Sequence, residues 1–162
     1  MATVNSGLHL RLLPLTKIDF SNTILANSAV QTITIAQHIE AHSFTIADLV
    51  VRTHAGTSIG AGASLKVNLV ADGYDFEDPA SQFLSSTNAA QIVLGPSLSG
   101  ASYNIQSGSA QMGRHLAVQL VATQPAAAVA LVVFISIDLT LKGGDPSGLM
   151  NGPNSFRGYR IQ

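Results

Sequence analysis

Residues Ala128 to Leu141 read A-V-A-L-V-V-F-I-S-I-D-L-T-L. The odd positions, Val129, Leu131, Val133, Ile135, Ile137, Leu139 and Leu141, are all large aliphatics. A strict period of two over such a length is what one face of a β-strand presents to a core. At roughly 1.5–3 kcal/mol per buried side chain, this face offers about 10–20 kcal/mol of gross burial. Strands of this length are usually central ones. The even positions start apolar and turn polar after Phe134, at Ser136, Asp138 and Thr140. The strand is therefore expected to leave the packed interior toward its end.

Outward from this stretch the same alternation recurs in shorter pieces. Leu116, Val118 and Leu120 alternate with Ala117, Gln119 and Val121, and the connection Gln124-Pro125-Ala126-Ala127 is expected to turn them into the central strand as a hairpin. Leu65, Val67 and Leu69 form a strand that runs into the turn pair Asp72-Gly73. Ile92 and Leu94 are closed by Gly95-Pro96, and Ile33, Ile35 and Ile39 share one face of a half-buried strand. Leu8, Leu10 and Leu12 give a first strand that is expected to stop at Pro14. Phe44 and Ile46 stand in even register but Leu49 and Val51 in odd, which predicts a bulge or a break near Ala47-Asp48. Ser102 to Gln106 reads as a weak strand, and Gly108 to Gly113 as a loop.

About eight short strands and no amphipathic helix of three turns predict an all-β protein. The expected architecture is an antiparallel two-sheet sandwich, of jelly-roll or immunoglobulin-like topology. Residues 1–142 form this domain. Residues 143–162, rich in Gly and Pro, read as an extended C-terminal arm. Its apolar and basic residues, Leu149, Met150, Phe156, Arg157, Tyr159, Arg160 and Ile161, lack helix or strand periodicity and suit pockets on a neighbouring surface.

Composition narrows the function classes. A chain of 162 residues suits one domain. Charged residues make up only 10% and the net charge is −1, so there is no basic footprint for nucleic acid. No basic amphipathic patch suits a membrane surface, and the most apolar window is too short for a membrane helix. With no cysteine, neither disulfides nor a thiolate metal site can form. The start M-A-T-V-N-S-G-L-H-L-R has no secretory pattern, so the chain is expected to be made and folded in a cytoplasm.

Three groups of residues carry candidate chemistry. Gly56-Thr57-Ser58-Ile59-Gly60 matches the nucleophile-elbow pattern G-x-S-x-G, with His115 downstream. That motif needs a helix after it; here Ala63 to Ala71 reads as a strand, so a glycine-rich loop is expected. His38, Glu40 and His42 project from one face of a strand and are zinc-type donors. Positions i and i+4 on a strand lie roughly 13 Å apart, however, so a solvated polar face is expected. Asp72, Asp75, Glu77 and Asp78 hold four of the nine acidic groups and are calcium-type donors, but no EF-hand spacing is present. An exposed acidic loop is expected there, with docking of a neighbouring copy's Arg157 and Arg160 as a further use. No cofactor, no required metal and no enzymatic activity are expected.

The neutral, Ser/Thr/Ala-rich, cysteine-free composition and the extended arm together give a family resemblance. From Leu8 to Leu141, plus the arm, the chain resembles jelly-roll or immunoglobulin-like head-decoration and minor capsid proteins of bacteriophages. The resemblance implies a structural, self-assembling subunit located in a virion, with copies of itself and a capsid or other particle protein as partners. The alternative is a carbohydrate- or receptor-binding β-sandwich module. Against that alternative stands the scarcity of aromatic platforms, with no Trp and three Tyr.

Overall fold

The computed structural model describes residues 7–21, 29–41, 44–72, 88–111, 115–125 and 129–143; at Ala29, His38, Ala71, Asp72, Asn88, Ala89, Ala110 and Gln111 it describes the backbone alone. Nine strands follow in order: β1 Leu8–Asp19, β2 Ala29–Glu40, β3 Ile46–His54, β4 Ser58–Ile59, β5 Ser64–Asp72, β6 Asn88–Leu94, β7 Tyr103–Gln111, β8 His115–Gln124 and β9 Leu131–Lys142. A short 3-10 turn, Pro96–Leu98, stands between β6 and β7. The strands form two antiparallel sheets. One has five strands in the order β1-β9-β3-β7, with β4 also on β9; the other has four in the order β2-β8-β5-β6.

The pairing is nested: β1 with β9, β2 with β8, β3 with β7, β5 with β6. This is one long antiparallel hairpin with its tip between β5 and β6. It is rolled so that β9 also pairs with β3, and β8 with β5. Of the two expected topologies the strand order selects the jelly roll; the immunoglobulin order places strands ABED on CFG.

The central strand is β9, paired on both sides. Leu131, Val133, Ile135, Ile137, Leu139 and Leu141 are all fully buried, and Val129 packs against them just before the strand. They meet Leu65, Val67 and Leu69 of β5 and Leu116, Val118 and Leu120 of β8 in one core. Both sheets thus bury one period-two face, as the alternation requires.

Several local expectations are corrected. β8 and β9 do not form a hairpin, because they lie in different sheets. β1 does not stop at Pro14 but runs through it, with register shifts between Arg11 and Leu13 and between Leu13 and Thr16. An edge strand with bulges is where a residue lacking an N–H is tolerated. β3 pairs with β7 and β9 without any register shift, so no bulge lies at Ala47-Asp48. Ile46 simply begins the strand on its outer face, and Ala47, Leu49 and Val51 point inward. β7 continues through Gly108 to Gln111, since that glycine faces the core, where a Cβ would meet Ala90 and Ile92 at 3.5 and 3.8 Å. The Gly143 φ of +72° turns the chain as it leaves β9, and the amide of Thr45 donates to the Lys142 carbonyl at 3.0 Å. Residues 144–162, and with them the expected anchors Leu149, Met150, Phe156, Arg157, Tyr159, Arg160 and Ile161, lie outside the described residues.

Candidate functional site

The outer face of the five-stranded sheet carries the charged cluster of the described residues. Its centre is Asp138, on an outward position of β9 between Ile137 and Leu139. Its side chain is only 1% exposed, contrary to the expectation that this face of β9 is free of the packed interior. Arg11 of β1 and Arg52 of β3, one from each flanking strand, cover it. Arg11 Nε donates to Asp138 Oδ1 at 3.0 Å, and Arg52 Nη1 donates to Oδ2. The register explains the meeting, since Arg11 lies directly opposite Asp138 and Arg52 directly opposite Ser136. His9 adds a third contact, with Nε2 3.7 Å from Asp138 Oδ1 and Nδ1 3.1 Å from Thr140 Oγ1.

Burial pushes the Asp138 carboxyl up. The hydrogen bonds and positive charges of Arg11 and Arg52 outweigh it, so the net position is below the ordinary aspartate value. Arg11 is 62% exposed and Arg52 28% exposed, so both guanidiniums reach solvent past the carboxylate they hold. Among the described residues neither has a second acidic partner. Two guanidiniums on one carboxylate leave a local excess of positive charge.

Two smaller groups flank this centre. Toward one end, Lys142 and Ser109 Oγ both bond the Asp48 carboxylate, Ser109 at 2.6 Å, which lowers its pKa. Toward the other, His54 Nε2 lies 3.4 Å from Ser136 Oγ, and its ring meets Tyr103 edge-on with centroids 5.2 Å apart. Tyr103 is 50% exposed and Ile105, its neighbour on the same face of β7, 54%. The result is an apolar strip along an edge strand, beside Arg52.

The candidates read from sequence fall elsewhere. Ser58 is exposed in β4, and His115 is buried at the start of β8. Ser58 lies near the Ser64 end of β5, whereas His115 pairs with Asp72 at its far end. At about 3.3 Å per residue that separation is roughly 25 Å, too far for a nucleophile and its base. The glycines of the motif have packing reasons. Gly56 has φ +94°, and a Cβ there would meet the Phe134 ring at 2.9 Å. Thr57 Oγ1 donates to the His54 carbonyl and accepts from the Phe134 amide, bridging the gap between β3 and β4 along β9. Ser99 Oγ then holds Ile59 by both its amide and its carbonyl.

Glu40 is exposed at the end of β2, opposite His115. The side chain of His38, and all of His42, lie outside the described residues. Asp72 closes β5; its side chain, with Asp75, Glu77 and Asp78, also lies outside them. Among the described residues no three His, Asp or Glu side chains gather into a metal site. No helix there is long and apolar enough to cross a membrane.

No protein-family model matches the chain, and no curated protein sequence is significantly similar to it. Some solved structures are similar to it. A structure of infectious bursal disease virus, Gx strain, overlaps 87% of this chain with a TM-score of 0.54 at 12% identity. The overlap takes in 32% of that longer chain, so this chain spans about a third of its length. A CBM35 module from Cellvibrio japonicus Abf62 covers 86% of this chain and 95% of its own, with a TM-score of 0.40 at 13% identity. The tobacco streak virus coat protein covers 90% and 92%, with a TM-score of 0.34 at 10% identity. At these identities the likeness is one of fold alone, that of a jelly-roll sandwich.

Proposed function

We propose that this protein is a structural, self-assembling subunit of a virus particle, of capsid-associated decoration or minor-capsid type. It is made in the host cytoplasm, joins copies of itself and another particle protein, and performs no catalysis. The bacteriophage setting suggested by its general style is part of this proposal. The observation that carries the reading is the nested strand order, β1-β9-β3-β7 over β2-β8-β5-β6, together with the overlap of the virus structure with 87% of this chain. A neutral surface supports it, since 10% charged residues allow many copies to lie side by side without strong self-repulsion. Size-exclusion chromatography with light scattering, followed by electron microscopy, tests it. Discrete oligomers or particles are expected as concentration rises, and a strict monomer at every concentration would refute the reading.

A second reading, a carbohydrate-binding sandwich, is favoured by one feature. The exposed Tyr103 ring, set against His54, is the aromatic platform that a sugar face needs. Saturable binding on a glycan array by a protein that stays monomeric would favour it over assembly.

A further inference from the structure

The positive excess on the five-stranded sheet restricts what can lie against it. Two copies meeting through this same face would bring Arg11 and Arg52 of one against those of the other. Like charges juxtaposed at a contact cost several kcal/mol, so a self-complementary two-fold pairing is disfavoured. The partner surface must carry carboxylates, and it must also offer something apolar for Tyr103 and Ile105.

The chain itself contains such a surface. The stretch Asp72-Gly73-Tyr74-Asp75-Phe76-Glu77-Asp78 interleaves four carboxylates with two aromatic rings. No Lys or Arg stands between Lys66 and Arg114, so nothing nearby in sequence offsets its charge. It starts at Asp72, the last residue of β5 in the other sheet.

We propose that the outer face of the five-stranded sheet binds the acidic-aromatic segment Asp72–Asp78 of a second copy, tip to face. This rests on the assembling-subunit reading and gives it its surfaces. Arg11 and Arg52 are held by Asp138 and keep part of their surface in solvent, 62% and 28% of the side chain, so they meet incoming carboxylates from a held position. Tyr103 and Ile105 receive the rings of Tyr74 and Phe76. Tyr and Arg side by side are the residue types that dominate contact energies at protein interfaces. Because the two surfaces differ, each copy offers both, and the contact propagates from copy to copy into a ring or shell.

The experiment uses the full chain and two variants, followed by sedimentation velocity with melting curves as the folding control. One variant carries Asp75→Lys, Glu77→Lys and Asp78→Lys; the other carries Arg11→Gln, Tyr103→Ser and Ile105→Ser. Arg52 is kept so that Asp138 stays paired. Wild type is expected to self-associate, with affinity falling roughly tenfold between low and high salt as the charges are screened. Each variant alone is expected to melt like wild type and stay monomeric. Their equimolar mixture retains one intact face and one intact segment, and is expected to give a one-to-one dimer that grows no further. If the variants assemble as wild type does, or the folded mixture stays monomeric, the tip-to-face contact is wrong while the assembling reading stands. If wild type never associates, both fall together. Should the Arg11 variant melt early, Tyr103→Ser with Ile105→Ser replaces it in the mixture.

Discussion

Asp138→Asn is the substitution with the most informative consequence. It keeps the size of the side chain and removes its charge, so the packing under Arg11 and Arg52 is preserved and the electrostatics are not. A hydrogen bond to a charged group contributes about 1.5–3 kcal/mol when its loss leaves a buried partner. Arg52, 28% exposed, falls in that range. Arg11, 62% exposed, turns to water, so its share is that of a surface pair, about 0–1 kcal/mol. The expected loss is therefore about 1.5–4 kcal/mol, or roughly 3–16 °C in melting temperature for a chain of this size.

Proton linkage supplies the control. The native Asp138 carboxyl titrates below its unfolded value of about 3.9, so its contribution is complete above that pH. It is lost as pH falls through the native value. Thermal melts of wild type and Asp138→Asn should differ fully at pH 7 and converge below about pH 4. A difference that stays constant into acid would mean that shape, not charge, holds the three strands. Equal stability at pH 7 would mean that desolvating the carboxylate cancels everything its partners return.

Other consequences follow from the same structure. Ile135→Asp places a carboxylate in the fully buried row of β9 and should abolish soluble expression, since an unpaired buried charge costs several kcal/mol; folded protein from this variant would mean the inner face is misassigned. Gly143→Ala forces a side chain into a left-handed conformation against Thr45 and should cost about 1–2 kcal/mol, read as a shift in urea midpoint without a change in slope. Dialysis against EDTA should leave the melting temperature within about 2 °C, because a native-state metal would stabilise by mass action; a fall of ten degrees or so would point to the Asp72–Asp78 stretch or to His38, Glu40 and His42. Truncation after Gly143 should leave a cooperatively melting domain with impaired assembly, and loss of folding would assign the arm to its own subunit's core.

The period-two pattern made the inner faces legible. Six of the seven aliphatics nominated from Val129 to Leu141 are fully buried in β9, and Leu65, Val67, Leu69, Leu116, Val118 and Leu120 face them. Periodicity says which side of a strand is apolar; it does not say which sheet the strand joins. The expected β8–β9 hairpin failed for that reason. Adjacency in sequence is a fair guide to pairing, and it holds here for β5 and β6; β8 and β9 sit in opposite sheets, and their partners are found by counting inward from both ends of the rolled hairpin. Pro14 and Gly108 misled in the same way. Each disfavours a strand locally, and each is tolerated by its setting: β1 lies at an edge, and Gly108 pairs with Leu49 of β3 in an unbroken register.

Asp138 was the residue the pattern misread, and its misreading shows what a sequence-level argument needs in order to find such a cluster. Its partners stand 127 and 86 residues away, so nothing near it in the chain signals burial. Yet the alternation of Leu10 and Leu12 around Arg11, and of Val51 and Thr53 around Arg52, already puts both guanidiniums on outward positions. Once β9 is taken as central, it has a neighbour on each side, and a short acidic side chain on its outer face lies lower than long basic ones on the flanking strands. Arg stems then cover the sheet and bring their heads over the carboxylate. The burial of Asp138 is thus a consequence of β9 being central, and the pattern of Leu131 to Leu141 had already implied that position. What the pattern lacked was the register that sets Arg11 opposite Asp138, and a register is visible only in the paired strands.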